Sequence, residues 1–237
     1  MNIKTFVLTI IITILIVVSL GYGYWYMQNT QNPNLNNNDN TDIYKTDEKP
    51  NLISNVDPFL FTNKDIRLIY EGGPSHWGSK TVIFKDMNET VDSKIVTLSI
   101  TDESDMKGDL PKKQWNQKWE ATKDGSLYID DVLMLKSPVT IGQSWTVQDY
   151  TPVLNADKKY TAKITITNIS DSLDDTSKPI KKVTTSLTIE DIKIVGGVYK
   201  ENREFESGKG LTKFTVTEPT IADLELGYWL DRTSNIR

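Results

Sequence analysis

The segment YTAKITIT at residues 160–167 decides the fold, because apolar and polar side chains alternate along its whole length. Successive side chains of a β-strand point to opposite faces of the sheet. Ala162, Ile164 and Ile166 therefore share one face, and the threonines and the lysine share the other. One buried face and one solvated face are typical of antiparallel sheets.

The same alternation recurs on both sides of this segment, at residues 95–100 and 182–189. Clusters of turn-forming residues separate such segments. The clusters are Gly72-Gly73-Pro74, Asp86-Met87-Asn88, Asp124-Gly125, Gly196-Gly197 and Gly208-Lys209-Gly210. The pattern predicts an all-β domain over residues 56–237, an antiparallel sandwich or open barrel of roughly eight to eleven strands, with no helix.

The N-terminal residues Phe6 to Met27 carry no charge and are rich in isoleucine, leucine and valine. As a helix, this segment would extend about 33 Å, enough to cross a hydrocarbon core of about 30 Å. Lys4 precedes it and the next basic residue is Lys45, so the positive-inside rule places the N-terminus in the cytoplasm. The sequence predicts a single-pass anchor in residues 1–27, located in the cell membrane, with the C-terminal domain outside the cytoplasm.

A cleaved signal peptide is the alternative for this segment, and it would also export the domain. Residues 19–21 match a small-x-small cleavage site poorly, and the aromatic residues at 22–26 are typical of a membrane-interface belt. We therefore favour an uncleaved anchor. The asparagine-rich residues 28–55 are predicted to form a disordered linker.

The composition excludes several classes of site. The chain contains no cysteine and a single histidine, His76, so disulfides, cysteine nucleophiles and multi-histidine metal sites are excluded. The net charge is −5 and no cluster of lysine and arginine stands out, which argues against a nucleic-acid partner. We expect neither a metal nor a cofactor.

Three segments, at residues 133–145, 195–202 and 208–214, carry a family resemblance. A leucine-rich strand leads to Pro138, Gly142 and Trp145, and a Gly-aromatic turn and a Gly-x-Gly-Leu strand follow. In order and spacing they resemble an uncharacterised β-domain of membrane-anchored and lipoprotein-type envelope proteins of Gram-positive bacteria. The resemblance implies an all-β fold and an envelope location over residues 60–217, and it implies no reaction.

The same residues have structural interpretations. Proline cannot donate a ladder hydrogen bond, so we expect Pro138 at a strand end. We expect Trp145 in the core at a sheet edge, with its indole N–H bound to a carbonyl. Gly208 and Gly210 are expected to adopt positive φ or to allow close backbone packing.

The glycine-rich segment at residues 70–78 is the strongest candidate for a ligand-binding loop. It would present Glu71, Ser75, His76 and Trp77, with His76 as a proton donor or acceptor and Trp77 as a stacking platform. The simpler interpretation, which we favour, is a wide hairpin turn whose histidine and tryptophan pack on a neighbouring strand.

Other acidic and aromatic groups have similar alternatives. The acidic residues at 102–105, 130–131 and 174–175 lack the ligand spacing of a calcium loop, so solvated turns are favoured. Glutamates 201, 204 and 206 near Arg203 are interpreted as a cross-strand ion-pair ladder. Trp115 and Trp119 are predicted to share one apolar strand face, the alternative being an exposed surface for sugar stacking.

Two function classes remain. The first is a membrane-tethered, extracytoplasmic, non-catalytic module of the bacterial cell envelope that binds a protein partner or a cell-wall or lipid component. The second is a cell-wall-directed hydrolase that uses His76 or a carboxylate pair. A concave pocket lined by both His76 and Glu71 would favour the hydrolase.

Overall fold

The structure is a computed structural model, which describes residues 53–105, 111–154, 157–173, 177–194, 197–217 and 225–236. All of them belong to one unit, Glu48–Arg237. The predicted anchor and almost all of the predicted linker lie outside the described residues. In the part that is described, no helix combines the length and the apolar character needed to cross a membrane.

Twelve antiparallel strands in the described residues form one sheet, which confirms the all-β prediction. The strands are β1 (Ile66–Gly72), β2 (Lys80–Glu89), β3 (Ser93–Asp102), β4 (Gln114–Thr122), β5 (Ser126–Ile129), β6 (Val132–Lys136), β7 (Ser144–Tyr150), β8 (Tyr160–Leu173), β9 (Pro179–Ile194), β10 (Gly197–Glu206), β11 (Gly210–Thr217) and β12 (Glu225–Asn235).

The strand count exceeds the predicted eight to eleven. Two of the strands, β5 and β6, have only four and five residues. β5 and β6 are joined by the two-residue turn Asp130-Asp131, and both aspartates have positive φ, 47° and 68°. Positive φ at both central residues makes a tight hairpin whose twist suits antiparallel strands. The turn predicted at residues 86–88 is wrong, because these residues lie inside β2, next to a register shift after Phe84.

The sheet order is β6-β5-β4-β3-β2-β1-β12-β11-β10-β9-β8-β7, so two six-strand meanders meet where β1 pairs with β12. The free edges, β6 and β7, approach each other, and the indole N–H of Trp145 donates to the carbonyl of Leu133 across this gap at 3.0 Å. The result is a nearly closed barrel. The indole bond confirms the role predicted for Trp145.

One end of the barrel is filled by the chain that precedes β1. Apolar side chains from Ile53 to Phe61 are buried there, among them Val56 and Phe59. Ile53 pairs with Val139 through two backbone hydrogen bonds, and the carbonyl of Pro58 accepts from Gly208. We call residues 53–61 the end plug. Its burial leaves the opposite end of the barrel as the open one.

Two short helical turns correct the expectation of a helix-free domain. A 3₁₀ turn covers Asp57–Phe59 within the end plug, and α1 (Gly73–His76) connects β1 to β2. Pro74 lies in the first turn of α1, where a missing N–H costs nothing. Because β1 pairs with β2, the segment is a wide hairpin connection, as predicted.

The glycine and proline predictions can be checked individually. Pro138 follows the end of β6 and so lies at a strand end. Gly208 and Gly210 have φ of 82° and 76°, which confirms the prediction of positive φ.

Candidate functional site

A cavity of about 520 Å³ occupies the open end of the barrel. Its walls come from strands of both meanders. The residues that define it best are Trp77, Met134, Tyr150, Arg203, Phe214 and Tyr228. A concave, largely apolar cavity with a few polar groups is the usual form of a small-molecule site.

Stacked rings form one wall of the cavity. Phe214 and Tyr228 are paired across β11 and β12, and their rings stack with centroids 5.2 Å apart. Trp77 also stacks on Phe214, with ring centroids 6.3 Å apart. The ammonium of Lys80 lies 3.6 Å from the centre of the Tyr228 ring, a cation–π contact.

Two glycines, Gly72 and Gly78, leave room for the packing of the chain around Trp77 and Tyr228. Gly78 has φ of 78°, and a Cβ there would stand 2.7 Å from Cδ1 of Tyr228. A Cβ on Gly72 would stand 2.1 Å from the carbonyl oxygen of Trp77. A side chain at either position would displace the aromatic wall.

A buried polar network forms another part of the cavity wall, centred on Glu201. Its carboxylate accepts from the hydroxyl of Tyr150 at 2.5 Å, from the hydroxyl of Tyr199 at 2.6 Å and from Nη2 of Arg203 at 2.5 Å. The backbone N–H of Val153 donates a fourth bond at 3.2 Å. Four hydrogen bonds thus satisfy the oxygens of a carboxyl group that is completely buried.

The raised pKa values of three donors in this network keep these donors protonated. Burial, reinforced by the nearby Glu201, raises the pKa of the Tyr199 hydroxyl above its usual value. Burial likewise raises the pKa of Tyr150. For Arg203, burial alone would lower the pKa, but Tyr150 and Glu201 outweigh it and the pKa rises. Both phenols are therefore hydrogen-bond donors, and the guanidinium is charged.

Two aspartates also line the cavity, and both are engaged in hydrogen bonds. Asp102 accepts at Oδ1 from both the hydroxyl and the backbone N–H of Ser104, and these bonds lower the pKa of its carboxyl. Asp130 accepts from the backbone of Lys118 and from the side chain of Gln117. Because they lie at or just beyond strand ends, they belong to the entrance of the cavity.

The structure distributes the predicted loop residues between different surfaces. Trp77 lines the cavity, whereas Glu71 lies exposed on β1, opposite Trp229 of β12. His76 ends α1 with φ of 60°, and neither His76 nor Glu71 lines the cavity. Ser75 belongs to α1. The condition that would favour a hydrolase, both His76 and Glu71 in one pocket, is not met.

The predicted ladder of glutamates needs a correction. Glu204 and Glu206 do pair across the strands with Lys182 of β9. Glu201 and Arg203, by contrast, lie on the same strand and pair inside the barrel. Alternation could have revealed this, because Tyr199 and Phe205 share their parity along β10 and are buried.

The two tryptophans of β4 lie in different environments, one in the core and one at the cavity. Trp115 and Trp119 share one face of β4, as predicted from their spacing. Trp119 is buried, whereas Trp115 is 45% exposed and lines the cavity.

No group of three or more acidic or histidine side chains within the described ranges is placed to hold a metal ion. The acidic residues at 174–175 lie outside those ranges.

The chain matches no family model and no curated protein. Among solved structures, a candidate exported protein with a YmcC-like fold from Bacteroides fragilis superimposes with a TM-score of 0.41 and 8% identity. The match covers 73% of this chain and 97% of that protein. A likeness this distant carries over neither a function nor a site, and the resemblance to Gram-positive envelope proteins stays a prediction.

Proposed function

We propose that this protein is a non-catalytic binding module of the bacterial envelope, held at the membrane by residues Phe6 to Met27. Its ligand is a small molecule with an apolar body, bound in the cavity at the open end of the barrel. The observation that carries the proposal is the cavity of about 520 Å³, enclosed by stacked rings and aliphatic side chains. Apolar burial supplies the affinity, and the polar groups set the orientation of the ligand.

The cavity is better suited to binding than to hydrolysis. A general acid for glycoside cleavage needs a carboxyl whose pKa is raised. The hydrogen bonds from Ser104 lower the pKa of Asp102 instead. Both oxygens of Asp130 already accept hydrogen bonds from other residues. Neither aspartate is therefore suited to act as the general acid of a hydrolase.

The absence of cysteine from the sequence provides a test. Val132 lines the cavity, so Val132→Cys places one thiol there in the full-length protein in lipid nanodiscs. We expect 1-octanol, a neutral apolar probe, to slow labelling of this thiol by a maleimide at least tenfold. Ile141→Cys is the control, because residue 141 is 61% exposed and does not line the cavity.

The two variants together decide the proposal. Protection at position 132 with no change at position 141 would support it. Equal labelling of Val132→Cys with and without octanol, up to the solubility limit of octanol, would refute it. Because the readout is covalent modification of one thiol, octanol dissolved in the lipid does not contribute to the signal.

A further inference from the structure

Arg203 has hydrogen-bonding capacity that its neighbours do not use. It is 6% exposed, and its side chain lines the cavity. Its two hydrogen bonds, to Tyr150 and Glu201, both come from Nη2. Among the described residues, no acceptor is bound to Nε or Nη1. A guanidinium carries five N–H donors, so most of them remain available to a molecule in the cavity.

The buried ion pair is oriented so that its positive partner faces the cavity. Glu201 is fully buried and does not line the cavity, since its oxygens are occupied by Tyr150, Tyr199, Arg203 and Val153. Arg203, in contrast, lines the cavity, and its guanidinium lies 5.0 Å from the centre of the Phe214 ring. A molecule in the cavity therefore meets the cation and not the carboxylate.

Lys80 supplies a second cation, beside the Tyr228 ring of the aromatic wall. Lys80 lines the cavity, and within the described part of the chain no carboxylate oxygen lies within 4.0 Å of its ammonium. Asp102 is its cross-strand neighbour, but the ammonium lies over the Tyr228 ring instead. Lys80, Asp102 and Asp130 lie at the entrance, whereas Arg203 lies deeper, within β10, so the inner part of the cavity is positive.

We infer that the cavity takes an amphiphile with an anionic head group, and that Nε and Nη1 of Arg203 hold that head group. An oxyanion accepts two parallel N–H bonds from a guanidinium, a geometry that fits the free edge of Arg203. The hydrogen bonds to Tyr150 and Glu201 fix Arg203 in place before the ligand arrives, which reduces the entropy lost on binding. The apolar part of the amphiphile lies against Trp77, Phe214 and Met134.

This inference rests on the proposed function, and one experiment tests both. Full-length Val132→Cys protein in nanodiscs is labelled in the presence of octanoate, 1-octanol or octylammonium, which share one chain and differ in charge. We expect half-maximal protection at a concentration at least tenfold lower for octanoate than for octanol, and the weakest protection by octylammonium. Equal protection by octanoate and octanol overturns the inference and leaves the proposed function intact. Failure of all three to protect overturns both.

A charge-neutral replacement assigns the preference to Arg203. Glu201→Gln with Arg203→Met, in the Val132→Cys background, removes both partners, because removing one alone would leave a buried unpaired charge. We expect octanoate to lose its advantage while octanol still protects. Lys213→Met is the matched control, since Lys213 is exposed on β11 and does not line the cavity. An octanoate preference that survives the double replacement in a protein with wild-type near-UV circular dichroism would overturn the role of Arg203.

Discussion

The hydroxyl of Tyr150 donates to Oε2 of Glu201 at 2.5 Å, joining the end of β7 to the middle of β10. The same hydroxyl accepts from Nη2 of Arg203 at 2.7 Å. One phenol therefore bridges both members of a buried ion pair.

Replacing Tyr150 with phenylalanine should destabilise the protein without changing its fold. Glu201 loses a donor and Arg203 loses an acceptor, and buried polar groups deprived of a partner cost about 1–3 kcal/mol. The measurement is the free energy of unfolding in urea. Tyr128→Phe removes a hydroxyl from a partly exposed side chain of β5 and should change the free energy far less. Equal effects of the two replacements would contradict the importance of the network.

The hairpin between β4 and β5 should make a pH-dependent contribution to stability. Hydrogen bonds from Thr122 and then from Ser126 lower the pKa of Asp124 below its ordinary value. A carboxyl with a lowered pKa in the folded state stabilises the protein above its unfolded pKa of about 3.9, and this contribution disappears as the pH falls through the folded value.

Asp124→Asn removes that titration, so the wild-type protein should be more stable than the variant at pH 6. The difference in stability should vanish as the pH falls through the lowered pKa of Asp124. The check is the difference in unfolding free energy measured from pH 6 to pH 2.5. A difference that is constant with pH would show that the charge of Asp124 is not involved.

Gly78 and Gly208 form a matched pair that separates steric conflict from backbone strain. Both have positive φ, 78° and 82°, but an added Cβ at residue 208 meets nothing within 4 Å. Gly208→Ala should cost about 1 kcal/mol from strain alone. Gly78→Ala should cost about 1–3 kcal/mol more, because its Cβ collides with Tyr228. Urea unfolding gives both values, and the near-UV circular dichroism should change only for Gly78→Ala.

The predicted membrane topology can be tested with single cysteines. Asn37→Cys lies in the predicted linker, and Thr5→Cys lies on the predicted cytoplasmic side. A membrane-impermeant maleimide applied to intact cells should label position 37 and spare position 5 until the cells are lysed. The protein should also stay in the membrane pellet after carbonate extraction. Release of the protein into the supernatant would indicate a cleaved signal peptide in place of an anchor.

Local alternation predicted much of the fold, and its limits are physical. The period of two places Ala162, Ile164 and Ile166 on the buried face of β8, as expected. It fails at residues 86–88, because turn-forming residues are tolerated on the exposed end of β2 beside a register shift. The pairing of β1 with β12 joins residues near opposite ends of the domain, and no local pattern encodes it.

The candidate site was harder to predict than the fold. Trp77 was singled out from its glycine-rich context, and it does line the cavity. Phe214 and Tyr228, its partners in the aromatic wall, come from strands far away in the sequence, and only the register of β11 and β12 brings them together. Glu201 and Arg203 share the parity of Tyr199 and could have been assigned to the interior. Charged residues on an alternating strand are usually expected on the solvated face, so the sequence pattern did not indicate that Glu201 and Arg203 are buried.

The position of β12 also determines when the domain can be completed during synthesis. β1 to β6 emerge first and can pair in order, but one edge of β1 stays open until β12 has been made, since these two strands are neighbours. An open strand edge is a template for pairing with other chains. Until residues 225–235 are available, a nascent chain therefore exposes this edge, and in that interval it is most prone to pair with other chains.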